Sequence, residues 1–158
     1  MLGLLLAIVL GLSPIAGRAQ ADGPGAAEPC FDALVSARVV RQIPSVVPEP
    51  AADDMIIMSW PYFIDLDIVR VLRGTAPAGR STMLSVQHTY WRKDLGVRKW
   101  WLRRNSIGGF NILLEENNET LVRCAPTMPA ADPYIRPGEG RTLEDMMREG
   151  REANGQRP

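Results

Sequence analysis

The sequence predicts a mainly β protein: a small β-barrel of five or six strands with a short helix after it. Three observations carry this. Short runs rich in Val, Ile and Leu recur between Pro- and Gly-rich turns over residues 30–124. The chain has two cysteines, Cys30 and Cys124, at the two ends of that stretch. One segment with a helix-start signal and a one-sided apolar pattern follows, at about 142–149.

The first of the 158 residues read as an export signal rather than as part of the barrel. Leu2 to Leu12 is apolar but falls short of the roughly 20 residues a bilayer requires. Pro14, Gly17 and the small-residue pattern Ala19-Gln20-Ala21 follow, so residues 1–21 are expected to be cleaved and the mature chain to begin at Asp22. No Lys or Arg precedes the apolar run. Either the amino terminus supplies the positive charge or the true start lies upstream. Cys30 stands too far past the run to be a lipid-attachment site, and no other stretch is long enough to cross a membrane. The expected location is periplasmic or secreted.

Composition narrows the function classes. Lys plus Arg and Asp plus Glu both total 18, and loss of Arg18 with the signal leaves the mature chain at about −1. That balance argues against a nucleic-acid partner. A single histidine and two cysteines exclude a metal site built from several such ligands, and no cofactor is expected. In an oxidising compartment two cysteines in one small domain pair, so a Cys30–Cys124 disulfide is expected. There is no C-x-x-C pattern to support a redox-active thiol. A loop of nearly a hundred residues closed this way is worth about 4–5 kcal/mol in the chain-entropy model.

The elements follow in order. Residues 22–29 are small, Gly/Pro-rich and read as a flexible segment. Ala33–Arg41 (ALVSARVVR) reads as a strand, and the three prolines of 44–54 read as a loop. Met55–Ser59 reads as a short extended piece that Trp60-Pro61 interrupts. Tyr62–Leu72 is the strongest strand. Ile64, Leu66 and Ile68 alternate with Phe63, Asp65 and Asp67, which puts aliphatics on one face and carboxylates on the other. The alternation slips at Val69–Leu72, where a bulge is expected. Gly74–Gly79 is a turn and Arg80–Thr89 the returning strand.

Val97–Arg104, the turn cluster Asn105–Gly109 and Phe110–Glu116 form a hairpin with a definite register. Placing Arg104 opposite Phe110 puts Leu102 against Ile112 and Trp101 against Leu113. The same register sets Trp100 against Leu114, Lys99 against Glu115 and Arg98 against Glu116. Apolar meets apolar and opposite charges meet. Asn117-Asn118 is a second tight turn, after which Thr120–Cys124 returns beside the preceding strand as the third member of a meander. Residues 125–158 form a Pro/Gly-rich tail. Within it Thr142 caps a helix with Asp145 as its capping-box partner, and Gly150 stops it. Leu143, Met146 and Met147 share one face that docks on the barrel, and 151–158 fray.

At this point a resemblance enters. The succession ALVSARVVR, FIDLDIVRVLRG, a strand after the glycine and an apolar strand ending in a cysteine resembles the netrin/TIMP-like branch of the OB-fold. That family's segment joining two barrel strands is matched here by Val69-Arg70-Val71-Leu72-Arg73-Gly74. The likeness covers roughly residues 30–124 and implies an OB-like barrel. TIMP inhibitors reach a protease metal through a mature N-terminal cysteine. Here Asp22 is the expected terminus and Cys30 the first cysteine, so that chemistry does not carry over.

The candidate binding residues lie in 90–104, YWRKDLGVRKWWLRR. Trp91, Arg92, Lys93, Arg103 and Arg104 combine aromatics with cations that the hairpin register leaves without partners. Exposed bases beside an aromatic suit an anionic surface or an acidic protein. The competing reading has the tryptophans alternating between core and surface and the cations pairing with nearby glutamates. Two alternatives belong to other classes: a small hydrolase using His88 with an acid such as Asp65, and a copper-handling protein using Met55 and Met58. His88 has no nucleophile signature near it. A sheet face explains Asp65 and Asp67 as well as acid–base chemistry does, and core packing explains the methionines. The expectation is a non-catalytic, monomeric binding or accessory module.

Overall fold

The computed structural model describes residues 30–46, 58–92, 94–113 and 120–156. The export segment, residues 22–29, Met55, Lys93 and the Asn117-Asn118 turn lie outside the described residues. Five strands close a barrel: β2 (Ala33–Pro44), β3 (Trp60–Gly74), β4 (Gly79–Gln87), β5 (Val97–Arg104) and β6 (Phe110–Ile112), in the order β2-β3-β4-β6-β5. All pairs are antiparallel except β4 with β6. Two short strands, β1 (Cys30–Phe31) and β7 (Val122–Arg123), pair in parallel beside the barrel, and one helix, α1 (Leu143–Ala153), follows. This is the OB-like barrel with a short C-terminal helix that the strand pattern predicts.

Alternation on β3 decides what the barrel encloses. Ile64, Leu66 and Ile68 join Ala33, Val35 and Ala37 of β2 and Met83, Leu102 and Ile112 in one interior cluster. The slip at Val69–Leu72 is real. Val35 pairs with Val71 directly after Leu34 pairs with Arg73, and Ala37 pairs with Ile68 after Ser36 with Arg70, so Leu72 and Val69 are the extra residues. These bulges let the long β3 curve around a five-stranded barrel. Gly74 ends the strand at φ +72°, and a Cβ there would lie 1.9 Å from the Asp32 carbonyl oxygen, so only glycine fits.

The hairpin register holds: Leu102 pairs with Ile112 and Arg104 with Phe110, and the Leu113 amide donates to the Trp101 carbonyl at 2.9 Å. The proposed pairs with Leu114, Glu115 and Glu116 lie outside the described residues. The third meander strand is a correction. The free edge of β6 is taken by β4 at the barrel closure, so residues 122–123 pair instead with β1. Cys30 and Cys124 form the disulfide, with Cα atoms 5.0 Å apart and 94 residues apart in sequence.

Two further expectations are corrected. Trp60-Pro61 does not interrupt a strand but opens β3. Pro61 needs no donor at the strand's start, and its carbonyl accepts from the Ser45 amide at 3.0 Å. Gly150 does not stop the helix. The capping box of Thr142 and Asp145 is present, but α1 runs on to Ala153 and is capped by Asn154. Gly150 is instead the closest approach of helix to barrel, where a Cβ would sit 2.4 Å from the Pro44 carbonyl oxygen. Gln156 lies beyond the helix in the segment expected to fray, yet it donates to the Gln42 carbonyl at 3.2 Å.

Candidate functional site

The structure gives different surroundings to the four described candidate binding residues, Trp91, Arg92, Arg103 and Arg104. Trp91 packs on the interior cluster and against Trp100, with ring centroids 4.8 Å apart. Gln42 holds its backbone from both sides, donating to the Trp91 carbonyl at 2.9 Å and accepting from the Trp91 amide at 2.8 Å. Gln87 donates to the same Gln42 oxygen at 3.2 Å. Trp91 therefore closes the barrel interior rather than presenting an open ring. Nearby, Tyr90 meets Tyr62 edge-on at 5.4 Å. Burial, and then the neighbouring Tyr90, push the Tyr62 phenol above its ordinary value.

The cations differ just as much. Arg92 is exposed and forks onto Asp94 at 3.0 and 2.6 Å, which holds the Asp94 carboxyl below its usual value. Lys93 lies outside the described residues. Arg103 was expected to be unpartnered, but it is 7% exposed and pairs with Asp32 at 2.5 Å. Its second terminal nitrogen donates to the Pro129 carbonyl. Arg104 points to solvent, while its amide donates to the same Asp32 oxygen at 2.7 Å. Nothing in sequence spacing links Arg103 to Asp32, 71 residues away.

The alternative sites come apart in the register. Asp65 accepts from the Thr82 hydroxyl at 2.6 Å and lies 3.6 Å from Arg41. His88 lies past the end of β4, so it stands roughly 20 Å along the strand from Thr82 and Asp65. Its Nδ1 meets the Met58 carbonyl. Met58 itself is 68% exposed, and Met55 lies outside the described residues.

The same register assembles a feature that no linear stretch shows. Cross-strand partners share a face. Because Ile64, Leu66 and Ile68 point inward, Asp67, Asp65 and Phe63 point outward. Outside, Arg80, Asp67, Arg38 and Val97 form one row across β4, β3, β2 and β5. Arg70, Ser36 and Lys99 form the next, and Arg73, Leu34 and Trp101 the one after. The five cations in these rows are exposed, and among the described residues of the rows Asp67 is the one carboxylate. Trp101 is the tryptophan turned outward, over a pit of about 210 Å³ that it lines with Leu34, Phe31, Arg73 and Lys99. In the other direction the rows become Thr82–Asp65–Arg41 and then Leu84–Phe63–Ile43, which α1 covers with Leu143, Met146 and Met147.

Among the described residues no group of three or more His, Cys, Asp or Glu side chains is placed to hold a metal ion. No helix among them is long and apolar enough to cross a membrane. No family model, curated protein or solved structure matches the chain.

Proposed function

We propose that the protein is an exported, non-catalytic binding or accessory module of netrin/TIMP-like type, with an anionic partner surface. The observation that carries the reading is the outer face of β2, β3, β4 and β5, where the exposed Arg38, Arg70, Arg73, Arg80 and Lys99 stand against Asp67 alone among the described residues of those rows. Neighbouring strands are about 4.8 Å apart, so these charges lie close enough to reinforce one another. Such a face raises the local concentration of anions and steers them inward, and salt weakens it. Export rests on the apolar run and the Ala19-Gln20-Ala21 cleavage pattern. A disulfide spanning 94 residues fits an oxidising compartment.

Retention on heparin and co-sedimentation with anionic vesicles, at low and at physiological salt, test the reading. Wild type is expected to be held at low salt and released as salt rises. The triple variant Arg70→Gln, Arg73→Gln, Lys99→Gln is expected to elute earlier with unchanged thermal stability. If wild type and variant elute together at both salts, the face is scaffold only.

A further inference from the structure

A second basic feature lies beside the disulfide and uses different residues. A cleft of about 660 Å³ opens there, lined by Asp32, Thr75, Arg103, Arg104 and Arg123 among others. Three arginines and one aspartate line it. The carboxylate is already engaged: one Asp32 oxygen accepts from Arg103 at 2.5 Å and from the Arg104 amide at 2.7 Å. Arg103 is engaged in turn by Asp32 and the Pro129 carbonyl. The side chains of Arg104 and Arg123 are exposed and have no ion-pair partner among the described residues. Two unpaired guanidinium groups in one cleft, backed by a third, focus a positive potential that an anion would relieve.

The rest of the wall is neutral, with Pro126 and Met128 as its larger members. Its frame is cross-tied. The disulfide fixes Cys124 beside Arg123, and the Cys124 amide donates to the Phe31 carbonyl at 2.9 Å. The Ala131 amide donates to the Arg104 carbonyl at 2.9 Å, which holds the 125–131 segment to the end of β5. A cleft held in this way needs little ordering to bind, and its size lies within the range of small-ligand sites.

We propose that this cleft captures the C-terminal carboxylate of a peptide. Arg104 and Arg123 take the two oxygens, since a guanidinium matches a carboxylate with paired donors. Thr75 offers a hydroxyl donor, and Pro126 and Met128 take the last side chain. The apolar side chains of Pro126 and Met128 beside the arginines suit a carboxylate with an apolar body better than a free inorganic anion. The inference is independent of the anionic-surface reading, whose cations lie on other residues.

The test is an amide-resolved NMR titration of the oxidised full chain with three probes: acetyl-Gly-Gly-Leu as the free acid, the same tripeptide as its amide, and inorganic phosphate. The free acid is expected to shift the amides of Thr75, Arg104, Arg123 and Met128, and the amide form to leave them in place. The double variant Arg104→Gln, Arg123→Gln is expected to weaken binding at least about tenfold, or about 1.4 kcal/mol. The variant Arg151→Gln, on α1 and outside both basic features, is expected to bind the acid as wild type does. Equal shifts from acid and amide, or unchanged binding in the double variant, overturn the site. Phosphate shifts as large as those of the acid overturn the assignment to a peptide terminus.

Discussion

One outer surface of the barrel has two halves with opposite fates. At one end the rows read Leu84–Phe63–Ile43 and lie under α1; at the other they read Arg80–Asp67–Arg38, Arg70–Ser36–Lys99 and Arg73–Leu34–Trp101, and their five cations are exposed. The strands are common to both halves, although β3 bulges at Val69 and Leu72 in the basic one. What changes along the strands is the chemistry of the outward-facing residues. The apolar half is completed within the chain, because burying Phe63, which is 1% exposed, against Met146 and Met147 stabilises the fold by the area removed from water. In the basic half no described helix packs over the outward cations, and its arginines are exposed to water. A surface that the fold does not consume is the part available to a partner.

The sharpest test of this contrast is a pair of truncations on the same strand and face. Phe63→Ala is expected to cost about 3–5 kcal/mol, through lost transfer energy and the cavity left beneath α1. Arg70→Ala is expected to stay within about 0.5 kcal/mol of wild type. Urea unfolding of both variants measures the difference, and comparable losses would mean that the basic half is also structural.

A smaller effect is expected where helix and barrel come closest. Gly150→Ala places a methyl 2.4 Å from the Pro44 carbonyl oxygen, so α1 must move off Ile43 and Phe63. Overpacking of this kind costs about 1–3 kcal/mol. The covered half should then exchange its amide hydrogens faster while the β2–β5 pairs keep wild-type protection. Faster exchange spread evenly over the barrel would show that the halves are not separable.

The smallest expected effect is a pH dependence confined to the covered half. The Asp145 carboxyl is held at about 2, from 3.8, chiefly by the Thr142 hydroxyl, then by Arg148 and the Thr142 amide. A depressed carboxyl pKa contributes stability that is complete above the unfolded value. The contribution is lost as pH falls from about 4 through about 2, where the unfolded chain binds the proton more readily. The group is exposed, so added salt should blunt the effect. Asp145→Asn is expected to flatten the acid limb of α1 unfolding, followed by circular dichroism between pH 5 and pH 2, roughly the span over which such a carboxylate titrates. An acid limb identical to wild type would remove the capping box from the account.

What could be read from residues alone was local or lay at the ends of the domain. The alternation on β3 and its slip at Val69–Leu72, the pairing of Leu102 with Ile112 and the Thr142–Asp145 box all depend on neighbours within one element or one hairpin. The disulfide followed from there being only two cysteines. Apart from that bridge, folding decided what joins distant segments. Examples are the parallel contact of Leu84 with Asn111 that closes the barrel, the pairing of β7 with β1, and the hold of Gln42 on Trp91 across 49 residues. It also placed Arg103 on Asp32 and left its neighbour Arg104 without an ion-pair partner among the described residues, although the two arginines are indistinguishable by composition and spacing. The physical reason is the same in each case. A side chain's own chemistry sets what kind of partner it needs. Which partner it meets depends on which strand edge is already occupied and which backbones approach closely enough, and neither is encoded in the residues nearby.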